Sequence, residues 1–191
     1  QLERFEILAH QAGEIIAADQ AQPNLTPDDR TAIYLALGRW YGQELAQHEW
    51  AVQCYEAVKR YDPHNVDAVR HMAQLYRKLE DHGSLARMLS EIINLSKDPA
   101  VLAPTYAEMG DLARTVLGIP EDAHVYYRNA LDYDPKNLRA ILALEEIHRE
   151  NASWGEYLEI LQMKAAAIED EAQLRKTKLQ IAETYEDRLD D

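Results

Sequence analysis

The chain has little that would tie it to disulfide or thiol chemistry: 191 residues include one cysteine, Cys54. A single thiol excludes an internal disulfide and reads as a small buried hydrophobe on a helix. Glycine and proline are scarce, seven of each, and β-branched residues are thin beside Ala, Leu, Glu, Gln and Arg. So few breakers and strand formers favour helix almost throughout. No apolar run approaches the roughly 20 residues that a bilayer span needs, so no membrane insertion is expected. Positive charge is in deficit: 20 Lys and Arg against 34 Asp and Glu leave a net charge of −14. That balance argues against nucleic acid or anionic lipid as a general partner. The sequence opens on Gln1, inside a helical pattern, and reads as a piece excised from a longer polypeptide.

Catalytic signals are equally thin. The seven histidines show no His-x-x-x-His or Cys/His spacing suited to zinc. His71, His82 and His148 read as helix-surface or turn residues. Gly-rich phosphate loops, Gly-x-Ser-x-Gly elbows and dinucleotide fingerprints are absent from the sequence. Glu145-Glu146 and Asp28-Asp29 are adjacent, and neighbouring helical residues point about 100° apart, so these pairs read as solvated charge. Asn24, Asn94 and Asn151 head Asn-x-Ser/Thr triplets, which are common by chance. The chain is therefore not read as an enzyme, and no cofactor or metal is assigned.

What is present is repetition. "YDPHN" at 61–65 returns as "YDPKN" at 133–137, and the offset of 72 extends far beyond that phrase. Tyr34 pairs with Tyr106, Gly38 with Gly110, Ala51 with Ala123, Tyr55 with Tyr127, and Ala68 with Ala140. One offset held across some 60 residues marks a repeat protein. Each period divides again at about 36 into amphipathic helix pairs, with repeats at about 31–65, 66–102, 103–137 and 138–171. Residues 1–22 and 172–191 read as half-repeats. Pro63 and Pro135 cannot continue a helix, and Asn65 and Asn137 are placed to cap the next one. Thr26 reads as a further N-cap, with Pro27 in the first turn.

These residues resemble the tetratricopeptide repeat. The pattern runs Tyr34, Leu37-Gly38, Tyr41, Ala51, Tyr55, Val58, Pro63, and again Tyr106, Met109-Gly110, Ala113, Ala123, Tyr127, Ala130, Pro135. Both copies carry one residue more than the usual repeat of roughly 34. The intervening repeats put Ala73 and Glu145 at the glycine position. The resemblance covers nearly the whole chain and is closest to the family's bacterial multi-repeat arrays. It implies an all-α, right-handed superhelical solenoid of stacked helix-turn-helix repeats, about ten helices forming one continuous body. It also implies a scaffold that binds a partner peptide or protein segment along a groove walled by the first helix of each repeat.

The family's groove positions fall here on Arg39, with Ala32, Leu35, Gly42 and Gln43. In the next repeat they fall on Asp67, Arg70, Gln74, Arg77 and Lys78. Then come Asp111 and Arg114, with Pro104, Ala107 and Thr115, and finally Arg139, Arg149, Leu142, Glu146 and Glu150. Seven of these twenty are cations, which suits an acidic or carboxylate-bearing partner, since Arg grips carboxylates bidentately. Arg77, Lys78, Arg114 and Arg149 also suit the dipole at a helix C-terminus whatever the partner; Arg39, Arg70 and Arg139 lack that explanation. The family's carboxylate clamp is not matched: Leu35, Arg39, His71, Pro104 and Glu108 stand where it needs Lys, Asn, Asn, Lys and Arg. Trp40, Trp50 and Trp154 read as packing between repeats, with peptide contact an alternative for Trp40. Other functions compatible with the fold are a structural spacer, self-association through open ends, or regulation of an enzyme whose catalytic domain lies elsewhere.

Overall fold

The computed structural model describes residues 2–188. They form ten α-helices and, among the described residues, no strand. These are α1 (Leu2–Ala21), α2 (Pro27–Arg39), α3 (His48–Tyr61), α4 (Val66–Lys78) and α5 (His82–Leu95). They continue with α6 (Pro99–Leu112), α7 (Pro120–Tyr133), α8 (Leu138–Glu150), α9 (Trp154–Ala167) and α10 (Glu171–Arg188). Contacts gather residues 1–95 and 96–191 into two compact units. In the first, α2 pairs with α3, α4 pairs with α5, and α3 also packs on α4. In the second, α6 pairs with α7 and α8 with α9, while α8 packs on α7 and α10 on α9.

The helix starts follow local chemistry. Thr26 Oγ1 accepts from the Asp29 amide, and the Asp29 carboxylate accepts from the Thr26 amide, closing a capping box. Two first helices begin four residues before the predicted repeat starts, at Pro27 and Pro99. Proline suits that place, because the amide it lacks would have had no helical partner. Pro104, expected near the start of its helix, therefore lies inside α6. A buried ion pair closes the start of unit 1: Asp19, 5% exposed, accepts from Arg30 and from the Asn24 and Leu25 amides. Those bonds hold its carboxyl well below the usual range.

The repeated five-residue phrase is a joint in which four letters have visible work. Tyr61 stacks on Tyr34 (6.1 Å between centroids), and Tyr133 stacks on Tyr106 (5.7 Å). Asp62 and Asp134 accept from amides two residues on. The proline ends the helix, and Asn65 and Asn137 accept from the Ala68 and Ala140 amides. Inside each pair, Gly38 and Gly110 lie against the faces of Tyr55 and Tyr127, rings only 1% exposed.

The extra residue of these repeats sits within the first helix, as a π-helical turn at Trp40–Glu44 and at Ala113–Leu117. There Leu45 N–H bonds Trp40 C=O and Gly118 N–H bonds Ala113 C=O, five residues back. Each turn between paired helices then passes through one left-handed residue: Ala46 (φ 52°), Glu80 (φ 56°), Gly118 (φ 66°) and Ala152 (φ 52°).

Where glycine is missing, Ala73 is buried, and Glu145 is buried at 8% exposure with Lys164 Nζ 2.6 Å away. Its neighbour Glu146 pairs with Arg114. The expectation that Glu145-Glu146 is merely solvated charge is thus corrected: both carboxylates are spent on cations from neighbouring helices. His148 is corrected too, from surface to core at 5% exposure. It stands edge-on to His124, 5.2 Å between centroids.

Candidate partner-binding face

In unit 1 the groove positions fall on α2, with its π turn, and on α4. Gly42 is buried, and its missing Cβ leaves room for Leu75, whose Cδ2 would lie 2.9 Å from a Cβ there. That approach brings the C-terminal ends of the two helices together. Gln43, Gln74 and Lys78 then line a narrow cleft with Tyr55 and His71, whose rings stack at 5.4 Å. Arg39, Arg70, Gln74, Arg77 and Lys78 are all exposed. Arg70 reaches Asp67 only at 3.6 Å, with both side chains more than half exposed, a pair worth at most about 1 kcal/mol. No carboxylate among the described residues forms an ion pair with Arg39 or Lys78.

In unit 2 two of the three groove cations, Arg114 and Arg139, are engaged. Asp111 accepts from the Tyr127 hydroxyl (2.6 Å) and pairs with Arg139. Burial, together with this carboxylate, pushes the Tyr127 phenol well above its usual range. Arg114 lies 2.7 Å from Glu146 and 3.9 Å from Glu150, and the guanidinium holds the Glu146 carboxyl below its usual range. Arg149 is exposed in the last turn of α8. Arg139, for which the helix dipole offers no explanation, thus already has a carboxylate within unit 2.

Three groove positions exchange sign between the units, with Glu150 standing 72 positions after Lys78. Asp111 and Arg139 stand 72 positions after Arg39 and Asp67. The first pair is bonded. In the second, Asp67 leans instead toward Arg70.

The aromatic residues divide. Trp40 packs against the small core that Ala9 and Ala12 of α1 share with Leu37 and Cys54. Trp154 sits edge-on to Tyr157 beneath the Arg188 guanidinium. Trp50 departs from the packing expectation: it is 57% exposed, with Tyr41 on one side. Cys54 is buried as read from the sequence, and burial pushes its thiol up to about 11. No cluster of three metal-ligating side chains occurs among the described residues, and no described helix is long and apolar enough to cross a membrane. The sequence reading missed the Tyr55–His71 stack and the His124–His148 pair. The 72-residue alignment held a signal for the second, since it sets His148 beside Tyr76, a core-sized aromatic.

No protein-family model matches this chain, and no curated protein matches it in sequence. Solved structures share its fold. A crystal structure of MamA superposes with a TM-score of 0.61 at 16% identity, over 83% of this chain and 82% of that one. Pseudomonas aeruginosa pilF gives 0.60 at 12% identity, over 97% and 86%. A tetratricopeptide repeat protein from Parabacteroides merdae gives 0.59 at 15%, over 96% and 73%. At such identities the likeness concerns fold alone, and that fold is the helical-hairpin repeat expected from the sequence.

Proposed function

We propose that the protein is a non-catalytic scaffold that captures an acidic segment of a partner protein on the α2/α4 face of unit 1. One observation carries this reading: Arg39 and Lys78 are exposed without a carboxylate ion-pair partner among the described residues, whereas Arg114 and Arg139 of unit 2 are already paired. An incoming carboxylate at Arg39 gains a charge-assisted, bidentate contact without first breaking an internal one. At Arg139 it would have to displace Asp111. Gln43 and Gln74, lining the cleft with Lys78, offer amide donors and acceptors to a peptide backbone.

The test uses a labelled Asp/Glu-rich synthetic peptide and fluorescence anisotropy. Arg39→Glu with Lys78→Glu is expected to weaken binding at least about tenfold while the helical melting curve stays in place. Arg149→Glu is expected to change it far less. Undiminished capture by the Arg39/Lys78 variant rejects the reading.

Association through the end helices is a second reading, favoured by one comparison within the fold. Leu179 (59% exposed) and Tyr185 (42%) of α10 stand 72 positions after Ala107 and Ala113, which are fully buried in unit 2. A mass that rises with concentration, and that stays monomeric in Leu179→Lys with Tyr185→Lys, is expected if this face pairs. A wild-type mass fixed at the monomer up to near-millimolar protein discards it.

A further inference from the structure

The two units carry related clefts that differ in where their apolar side chains stand. On unit 1 the cleft opens where the α2–α3 turn and the first turns of α3 face the end of α4. It is a cleft of about 850 Å³ whose wall includes His48, Trp50, Val52, Tyr76 and Leu79. On unit 2 the cleft 72 positions on is lined by Pro120, Glu121, His124, His148 and Asn151 among others. Across the period, Trp50 becomes Asp122, Val52 becomes His124, Tyr76 becomes His148 and Leu79 becomes Asn151. The exchange runs the other way at Gln47, His48 and Gln53, which become Ile119, Pro120 and Val125. The backbone is the same in both: second helices of 14 residues, each entered through a left-handed turn residue.

Unit 2 is therefore an internal control. It closes the same hairpins with Asp and Asn where unit 1 has Trp and Leu, so packing does not require the apolar pair. Trp50 and Leu79 stay 57% and 48% exposed, forgoing the burial that side chains of their size would reward. Tyr41 backs the indole, with ring centroids 6.3 Å apart, which presents it on a supported platform.

We infer that this cleft docks a second kind of partner segment, one with a bulky apolar anchor flanked by Lys or Arg. The apolar wall sets the anchor, and the surrounding charge sets the flanks. Glu49 is the one carboxylate in the wall, and neither Lys nor Arg lines it. Glu56 follows Glu49 two turns later on the same face of α3, and Glu80 follows Leu79; both are exposed. A cationic flank is attracted there and an acidic one repelled, the reverse of the α2/α4 face.

The probe is a labelled amphipathic Leu/Lys helical peptide, compared with its Leu/Glu counterpart at about 150 mM salt, where exposed charges are screened beyond about 8 Å. The Leu/Lys peptide is expected to bind and the Leu/Glu peptide not. Trp50→Asp with Leu79→Asn, the residues of unit 2, is expected to weaken the Leu/Lys complex at least about tenfold with the helical melt retained. Leu79→Asn alone, read alongside, separates lost docking from lost folding. Trp50→Asp adds negative charge, so plain electrostatic attraction predicts tighter binding in that variant and docking predicts weaker. Equal or tighter binding by a folded variant, equal binding of the Leu/Glu peptide, or no binding of the Leu/Lys peptide by the wild type overturns the proposal. Arg39→Glu with Lys78→Glu is expected to leave this complex intact, so its outcome is independent of the acidic-segment test.

Discussion

A Cβ placed on Gly110 would stand 2.6 Å from Tyr127 Cε1, against a ring that is 1% exposed and held through its hydroxyl by Asp111. The ring cannot yield, so Gly110→Ala is expected to cost about 1–3 kcal/mol in urea unfolding. Gly13 of α1 has open space around its Cα, and Gly13→Ala should instead stabilise by roughly 0.5–1 kcal/mol. The left-handed turn residues run the opposite way. Glu80→Gly and Ala152→Gly each remove a side chain from a strained backbone and should gain about 1 kcal/mol, with Gly118→Ala losing a similar amount. The histidine pair predicts a pH dependence. Burial lowers the His124 and His148 pKa values below the usual 6.5; Arg128 adds to this, while Glu156 on α9 opposes it at both rings and Glu159 at His148. Below about pH 6.5 the unfolded chain takes up protons that the folded pair resists. Stability present above that pH is therefore lost as pH falls toward the depressed folded values. His124→Val with His148→Tyr, the residues of unit 1, is expected to flatten the melting temperature between about pH 7 and pH 5 relative to wild type.

At the scale of elements, the π turns at Trp40–Glu44 and Ala113–Leu117 absorb the residue by which these repeats exceed the usual length. If each turn is an inserted residue held in a helix, deleting exposed Thr115 should convert it to regular α-helix. Far-UV circular dichroism and cooperative melting should then persist. Deleting Tyr126, one residue from Tyr127 in α7, shifts every later core position by about 100° and is expected to abolish cooperative melting. The sequence shows that a residue is extra but not where it goes, because inter-helix loop and helix end are equally near in the chain. Helix pairing, the Tyr-on-Gly contact and the Asn caps are legible because each needs one residue type at a fixed spacing. The start of α2 is legible in its Thr26 cap and Pro27, whereas that of α6 is missed because Pro99 extends the helix backwards, past the apolar periodicity that marks its body.

Across the whole molecule, burial is uneven. Ala51, Tyr55, Val58, Ala68 and Val69 in unit 1, and Tyr127, Ala140, Ile141 and Leu144 in unit 2, are at most 1% exposed, whereas the buried residues of α10 are Thr177 and Thr184. Amide hydrogen exchange is expected to be slowest in α3, α4, α7 and α8 and fastest in α10; a protected α10 in a dilute monomer would contradict this. The candidate face was legible as a list of positions and illegible as a distribution of charge. Which of seven cations keeps a carboxylate depends on neighbours such as Asp111 and Glu146, which arrive from other helices. That distribution carries a consequence for valency. Because Asp111 and Arg139 hold, with signs exchanged, the places of Arg39 and Asp67, unit 1 offers an open socket and unit 2 a self-sealed copy of it. Writing Arg, Asp and Lys at positions 111, 139 and 150, with Arg114 released from Glu146, would unseal the copy and turn a monovalent receptor into a tandem one, whose gain on doubled ligands would come from avidity alone.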